Sequence, residues 1–83
     1  MNKRITFAQF DGVLEELGFK KTIIPTSHVN YRHEASDTLL MIRLHQPDDF
    51  VPEYVMASTQ LQLDGRGVIG AAEFEDRFRS TAA

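Results

Sequence analysis

The sequence lacks cysteine and tryptophan, and it contains only five glycines and three prolines among its 83 residues. The absence of cysteine excludes a disulfide-stabilised scaffold and any thiolate chemistry, and it fits a reducing compartment. Low glycine and proline, with a hydrophobic fraction of 42%, are typical of a folded domain and not of a disordered segment. A chain of this length has room for one hydrophobic core, so we predict a single domain over residues 1–83.

Long apolar runs and an excess of basic residues are also missing. No stretch approaches the length of a membrane span, and the first ten residues, MNKRITFAQF, become polar and helical after two basic residues. We therefore predict neither a membrane segment nor a signal peptide, and we expect a cytoplasmic protein. Because the formal net charge is −3, nucleic-acid binding would have to depend on a local cluster of basic side chains.

Three segments carry the patterns of helices. Residues 5–18, ITFAQFDGVLEELG, place Thr6 and Gln9 in a capping-box arrangement, repeat apolar residues at helical spacing and end at a glycine. A second helix is predicted over residues 52–64, from a proline suited to a first turn to a pair of nearby glycines. A third, AAEFEDRF over residues 71–78, has two phenylalanines four residues apart on one face.

Three strands are predicted between the first and second helices. They are FKKTIIP over residues 19–25, HVNYRH over residues 28–33 and TLLMIRL over residues 38–44. The short segments PTS and EASD have the residue types of turns. The order α-β-β-β-α-α predicts an α+β fold, in which a three-stranded antiparallel sheet carries the helices on one face.

Side chains on a strand alternate between the two faces of the sheet, which assigns the residues of the second strand. One face carries His28, Asn30 and Arg32, and the other carries Val29, Tyr31 and His33. The second set is the more apolar and is predicted to face the core. His28 and His33 therefore point to opposite sides and cannot bind one metal ion in this geometry.

Strand pairing extends this assignment to the whole sheet. If PTS and EASD are complete loops, His28 lies opposite both Ile24 and Arg43, while Lys20 lies opposite Arg32. The predicted inward-facing residues are Phe19, Ile23, Val29, Tyr31, Leu40, Ile42 and Leu44. The predicted open face carries Lys20, Thr22, His28, Asn30, Arg32, Leu39, Met41 and Arg43, with His45 as a further candidate. A cationic patch is thus expected on an acidic protein.

The predicted patch contains the groups that RNA cleavage requires. Histidine exchanges protons near neutral pH, and arginine or lysine holds a phosphate and stabilises charge that develops on it. Deprotonation of a ribose 2′-hydroxyl lets that oxygen attack the adjacent phosphate, and the leaving oxygen then takes a proton. This reaction needs no metal, and we predict no metal site or cofactor, since Asp48 and Asp49 beside His45 lack a spaced ligand set.

The same residues also have plainer interpretations. His28 is an exposed polar residue after a turn, and Lys20, Arg32 and Arg43 are solvated strand charges that discourage pairing between sheet edges. His33 is expected to pack and hydrogen-bond at the end of the hairpin. His45 either assists His28 from the neighbouring strand or begins a loop, and the loop is favoured.

The segments FAQFDGVLEELGF, SHVNYRH and GVIGAAEF, in this order, resemble the HicA (YcfA-like) toxins. These are small mRNA interferases of bacterial toxin–antitoxin pairs, and the resemblance covers nearly the whole chain. It implies a fold like that of a double-stranded-RNA-binding domain and an endoribonuclease that uses one histidine at the head of the second strand. It also implies mRNA and a HicB-like antitoxin as partners. The family's Gly-Ser-His motif maps its histidine onto His28 and its serine onto Ser27.

Two features depart from the family's pattern. The motif glycine is Thr26 in this chain, and the second helix has no basic residue over residues 53–63, EYVMASTQLQL. The alternative is therefore a divergent, non-catalytic RNA-binding or protein-interaction module on the same scaffold. Leu39 and Met41 on the open face are either simply exposed or contact an antitoxin or a second copy of the chain.

Overall fold

A computed structural model describes residues 4–81, with side chains through Arg79. The elements are α1 (Phe7–Glu16), β1 (Lys20–Ile24), β2 (His28–His33), a 3₁₀ turn (Glu34–Ser36), β3 (Thr38–Arg43), α2 (Glu53–Gly65) and α3 (Ala71–Thr81). The protein is an α+β domain with the predicted order of elements. Within residues 4–81, no helix combines the length and the apolar character that a membrane crossing requires.

Local sequence signals determine both ends of α1. The Thr6 side chain accepts a hydrogen bond from the Gln9 N–H at 3.2 Å, and Gln9 Oε1 accepts one from the Thr6 N–H at 2.9 Å. At the other end Gly18 adopts a φ of +101°, which glycine tolerates without steric cost. The Phe19 N–H then donates to the Leu14 carbonyl at 2.9 Å, as in a Schellman motif. The predicted capping box and glycine stop are confirmed.

The sheet has the strand order β1-β2-β3, and both neighbouring pairs are antiparallel. Ile24 and Arg43 lie opposite His28 from the two sides, and Lys20 lies opposite Arg32. The predicted register is therefore confirmed in both hairpins. Because a slip of one residue would exchange the two faces, this register decides which side chains reach solvent.

The helices cover one face of the sheet and enclose the core with it. The buried apolar side chains are Ile5, Phe7, Phe10, Val13, Leu14, Phe19, Val29, Tyr31, Leu40, Ile42, Val51, Leu63, Ile69, Phe74 and Phe78. Phe74 and Phe78 of α3 contact each other edge to face, and Phe78 stacks over Phe10 of α1. The apolar stripes read from the sequence therefore meet in one core.

Two residues predicted to face inward are exposed. Ile23 is 55% exposed because β1 is an edge strand and all five of its side chains reach solvent. Leu44 is 43% exposed because β3 ends at Arg43, so the alternation of the strand no longer applies one residue later. Both predictions were wrong because they extended a strand pattern beyond the area that the helices cover.

Candidate functional site

His28 lies at the head of β2, half-buried on the face of the sheet that no helix within residues 4–81 covers. Its Nδ1 lies 2.7 Å from the hydroxyl oxygen of Ser27, and this hydrogen bond orients the imidazole ring. Within residues 4–81, Nε2 has no hydrogen-bond partner, so the second ring nitrogen is available to a ligand. The geometry thus brings the two predicted catalytic residues, His28 and Ser27, together.

The turn before His28 is tight and contains an unusual backbone conformation. The Ser27 N–H donates to the Ile24 carbonyl at 3.1 Å, with Pro25 and Thr26 between them. Proline followed by a residue of positive φ is the pattern of a type II turn, and Thr26 has a φ of +59°. A β-branched residue in this region is an outlier, and glycine is the residue that fits it without strain. The turn therefore favours glycine at the position where this chain has threonine.

The predicted cations all lie on the open face, but only one of them lies beside His28. Arg43 is directly opposite His28 on β3. Lys20 and Arg32 form a cross-strand pair four residues further along β2, which corresponds to about 13 Å at the usual strand rise. Arg32 also contacts Asp37 at 3.3 Å in a solvent-exposed pair, an interaction that contributes little in water.

Asn30 occupies the middle of the open face, between the His28–Arg43 pair and the Lys20–Arg32 pair. It lies opposite Thr22 on one side and Met41 on the other. Its Oδ1 is shielded from solvent and has no hydrogen-bond partner among the residues that the structure describes. A buried acceptor without a donor is costly, so a rotation of the amide or a donor from a ligand would stabilise this residue.

His45 does not lie on the open face, which corrects the prediction that made it a further candidate there. Its ring stacks on Phe7 of α1, with centroids 3.6 Å apart and an interplanar angle of 10°. Nδ1 lies 2.9 Å from the Arg43 carbonyl oxygen, and Nε2 lies 3.3 Å from the Tyr31 hydroxyl. The favoured loop assignment is right, and direct assistance to His28 is wrong, because the chain leaves β3 after Arg43 and folds back over α1.

A hydrogen-bond network on the covered face was not predicted from the sequence. The Tyr31 hydroxyl donates to Asp11 Oδ1 at 2.6 Å, and the other Asp11 oxygen pairs with Lys21. Burial raises the pKa of Tyr31 well above its ordinary value, and the hydrogen bond and negative charge of Asp11 add to the effect. A tyrosine at an inward-facing strand position was the available signal, because a buried hydroxyl needs a partner. The network joins α1 to β1 and β2.

His33 closes the second hairpin, as predicted. Its Nδ1 lies 2.7 Å from the Ser36 hydroxyl and accepts the Ser36 N–H at 3.3 Å. Its ring also packs against Phe19, with centroids 5.0 Å apart. These contacts give His33 a structural role at the end of the sheet.

No cluster of three or more histidine, cysteine, aspartate or glutamate side chains that could hold a metal ion occurs within residues 4–81. The candidate site consists of His28, Ser27 and Arg43 at one end of the open face. A lysine and a second arginine lie at the other end. Such a site offers proton exchange and phosphate binding from its own side chains.

The chain matches no protein-family model, no curated protein and no solved structure. Similarity to known proteins therefore establishes neither a family nor an activity for this chain. The functional inference depends on the geometry of the open face and on the local motifs of the sequence.

Proposed function

We propose that this protein is a HicA-like, metal-independent endoribonuclease that cleaves mRNA as the toxin of a type II toxin–antitoxin pair. The observation that carries this proposal is the arrangement around His28. One ring nitrogen is held by Ser27, the other is open to a ligand, and Arg43 lies directly opposite on the neighbouring strand. A proton-exchanging group beside a phosphate-binding group is the minimum that this cleavage needs.

The proposed reaction begins with a phosphate of the RNA bound at Arg43. The 2′-oxygen attacks the adjacent phosphorus, and the bond from phosphorus to the 5′-oxygen breaks. His28 accepts the proton of the 2′-hydroxyl, and the leaving 5′-oxygen takes a proton either from the His28 imidazolium formed in this way or from water. When Ser27 accepts a hydrogen bond from Nδ1–H, Nε2 carries the free electron pair that a general base needs.

The rest of the open face supports binding of an extended RNA strand. Lys20 and Arg32 lie about 13 Å from His28 along the sheet and would hold phosphates away from the cleaved bond. Asn30 lies between the two cationic pairs, and its amide offers a donor and an acceptor of the kind that contacts base edges. Together these residues form a surface on which one strand can cross from Lys20 to His28.

The proposed protein partner is a HicB-like antitoxin that covers the open face. Leu39 and Met41 are exposed there among the cations and would give such a partner apolar contacts. A partner on this surface would block His28 and the RNA path at the same time. The proposed location of both proteins is the cytoplasm, where mRNA is available.

A second candidate is a non-catalytic RNA-binding or protein-interaction module on the same scaffold. Thr26 at a φ of +59° occupies the position of the family's motif glycine. In addition, α2 has no basic residue between Glu53 and Leu63, where family members usually carry them. The first feature changes the turn before His28, and the second lowers the positive charge available to bind RNA. Both favour a changed activity on an unchanged fold.

Expression of the wild type, His28→Ala and the control Thr22→Ala in a bacterial host, followed by RNA cleavage with purified protein, separates the two candidates. The proposed ribonuclease arrests growth, and removal of a general acid or base lowers cleavage by about 10²- to 10⁴-fold. Thr22 lies on the same face away from His28, so its variant is expected to retain activity. If the wild type neither arrests growth nor cleaves RNA yet still binds it, the non-catalytic module is the correct function.

A further inference from the structure

The two edges of the sheet differ in their protection against pairing with another strand. The β1 edge carries Lys20 and Lys21 and is followed by Pro25, which are residue types that discourage strand addition. The β3 edge has the sequence TLLMIR, in which Leu39 to Ile42 are apolar and Arg43 is the one charge. Within residues 4–81, β3 pairs with β2 alone. The β3 edge is therefore the less protected of the two edges.

The direction of the β3 backbone groups follows from two side-chain contacts. The carbonyl of Leu39 accepts a hydrogen bond from Gln62 of α2 at 3.4 Å, and that of Arg43 accepts one from His45 at 2.9 Å. Alternate residues of a strand direct their N–H and C=O groups to the same side, so the groups of Met41 also point away from β2. Within residues 4–81, no side chain bonds to the N–H or C=O of Met41, so the centre of the edge is open. An added strand would replace the side-chain partners of the Leu39 and Arg43 carbonyls with backbone N–H groups.

A groove of about 590 Å³, lined by both apolar and polar side chains, runs beside this edge between β3 and α2. Of the eight large hydrophobic side chains exposed within residues 4–81, four line this groove, namely Met41, Leu44, Phe50 and Tyr54. An apolar patch concentrated in this way marks an interaction surface, whereas scattered exposed residues do not. The groove and the open strand edge form one continuous surface.

We propose that a second copy of this chain occupies the β3 edge and joins the two sheets into one six-stranded antiparallel sheet. The two β3 strands pair about a twofold axis at Met41, so that Met41 lies opposite Met41 of the second copy. In this register Leu39 lies opposite Arg43 and Leu40 lies opposite Ile42. The proposal does not depend on the enzymatic activity.

Self-complementarity is the reason for choosing a second copy as the occupant. Around the axis, the two Met41 residues exchange a pair of N–H to C=O hydrogen bonds. On the covered face, Leu40 and Ile42 line the groove and would meet each other across the axis, apolar against apolar. On the open face, Arg43 would lie opposite Leu39, so no like charges are opposed. Arg43 and Asp49 both line the groove, so each copy presents charges of both signs beside the edge.

Disulfide trapping tests the register directly, because the chain contains no cysteine of its own. In Met41→Cys, the paired Cα atoms would be about 5.5 Å apart, within the range of about 4.4–6.8 Å that a disulfide allows. Rapid and nearly complete formation of a covalent dimer under mild oxidation is expected. The matched control is Leu39→Cys on the same strand and face, where the two copies are separated by four residues, or about 14 Å. A mixture of Leu39→Cys and Arg43→Cys should form the heterodimer.

Sedimentation equilibrium measures the association without a cross-link. The wild type is expected to be a dimer, and Met41→Lys, which opposes two cations at the axis, should weaken association by about tenfold or more. Ile23→Lys, at a similarly exposed site on the β1 strand, should leave the association unchanged. The proposal is overturned if the wild type is monomeric at all concentrations, or if Leu39→Cys forms a covalent dimer as fast as Met41→Cys.

Discussion

The two faces of the sheet differ although the same three strands build them. Leu40 and Leu39 are neighbours of one residue type, yet Leu40 is 4% exposed and Leu39 is 41% exposed. The helices pack on the face that carries Leu40, and no described element covers the face that carries Leu39. The difference shows that the covered face maintains the fold, while the open face is available for binding.

The three histidines follow the same division. His33 and His45 each make two side-chain hydrogen bonds and pack against an aromatic ring, so their environments are structural. His28 has one partner, Ser27, on the open face. The face on which a histidine lies, and not the residue type, therefore distinguishes the candidate catalytic residue from the two structural ones.

Truncation of the two neighbouring leucines should produce the largest contrast between the faces. Leu40→Ala leaves a cavity against the helices and is expected to lower the free energy of unfolding by about 2–5 kcal/mol. Leu39→Ala removes only exposed surface, so a change within about 0.5 kcal/mol is expected. Urea unfolding of both variants measures the difference. Equal losses would show that the open face is also covered in the folded protein in solution.

Substitution of histidines on the two faces should separate stability from activity. His33→Ala leaves the Ser36 N–H without its acceptor and removes the contact with Phe19, so a loss of about 1–2 kcal/mol in unfolding free energy is expected. His28→Ala should leave stability within about 0.5 kcal/mol of the wild type while it lowers the proposed RNA cleavage by about 10²- to 10⁴-fold. Thermal or urea unfolding, measured beside a cleavage assay, checks both. A fully folded His33→Ala that is as inactive as His28→Ala would contradict this division.

Alkaline pH should destabilise the covered face through Tyr31. Its pKa is raised in the folded protein, so above about pH 10 the unfolded chain loses a proton that the folded chain retains. The free energy of unfolding should then fall by up to about 1.4 kcal/mol per pH unit. The stabilisation that Tyr31 contributes is complete below about pH 10 and is lost as the pH rises further. In Tyr31→Phe this decrease of the unfolding free energy with pH should be absent. If the decrease is unchanged in the variant, it arises from other titrating groups.

Replacement of the threonine before the site should have the smallest effect. Thr26→Gly removes the strain of a β-branched residue at positive φ but increases the conformational freedom of the unfolded chain. A gain of about 1 kcal/mol or less in the free energy of unfolding is therefore expected. Asp37→Gly in the other hairpin is the control, because aspartate tolerates a φ of +54° better than a β-branched residue does. Urea unfolding compares the two gains. A larger gain at Asp37 would show that the turn before His28 is not strained.

Much of the open face could be predicted from local patterns. The PTS and EASD turns and the alternation of HVNYRH placed His28, Arg43, Lys20 and Arg32 on one face in the register that the structure has. The separation of Lys20 and Arg32 from His28 was also implicit in that register. The capping box at Thr6 and the glycine at position 18 located α1 for the same reason, since each signal acts within a few residues.

The sequence by itself determined the order of the elements, the strand register and the division of the sheet into two faces, because alternation, caps and turns are local. Tertiary structure alone decided how far the helices extend over the sheet, and so left Ile23 and Leu44 in solvent. It also placed His45 against Phe7 and joined Tyr31 to Asp11. These contacts link residues far apart in the chain, and their existence depends on how the packed layers meet.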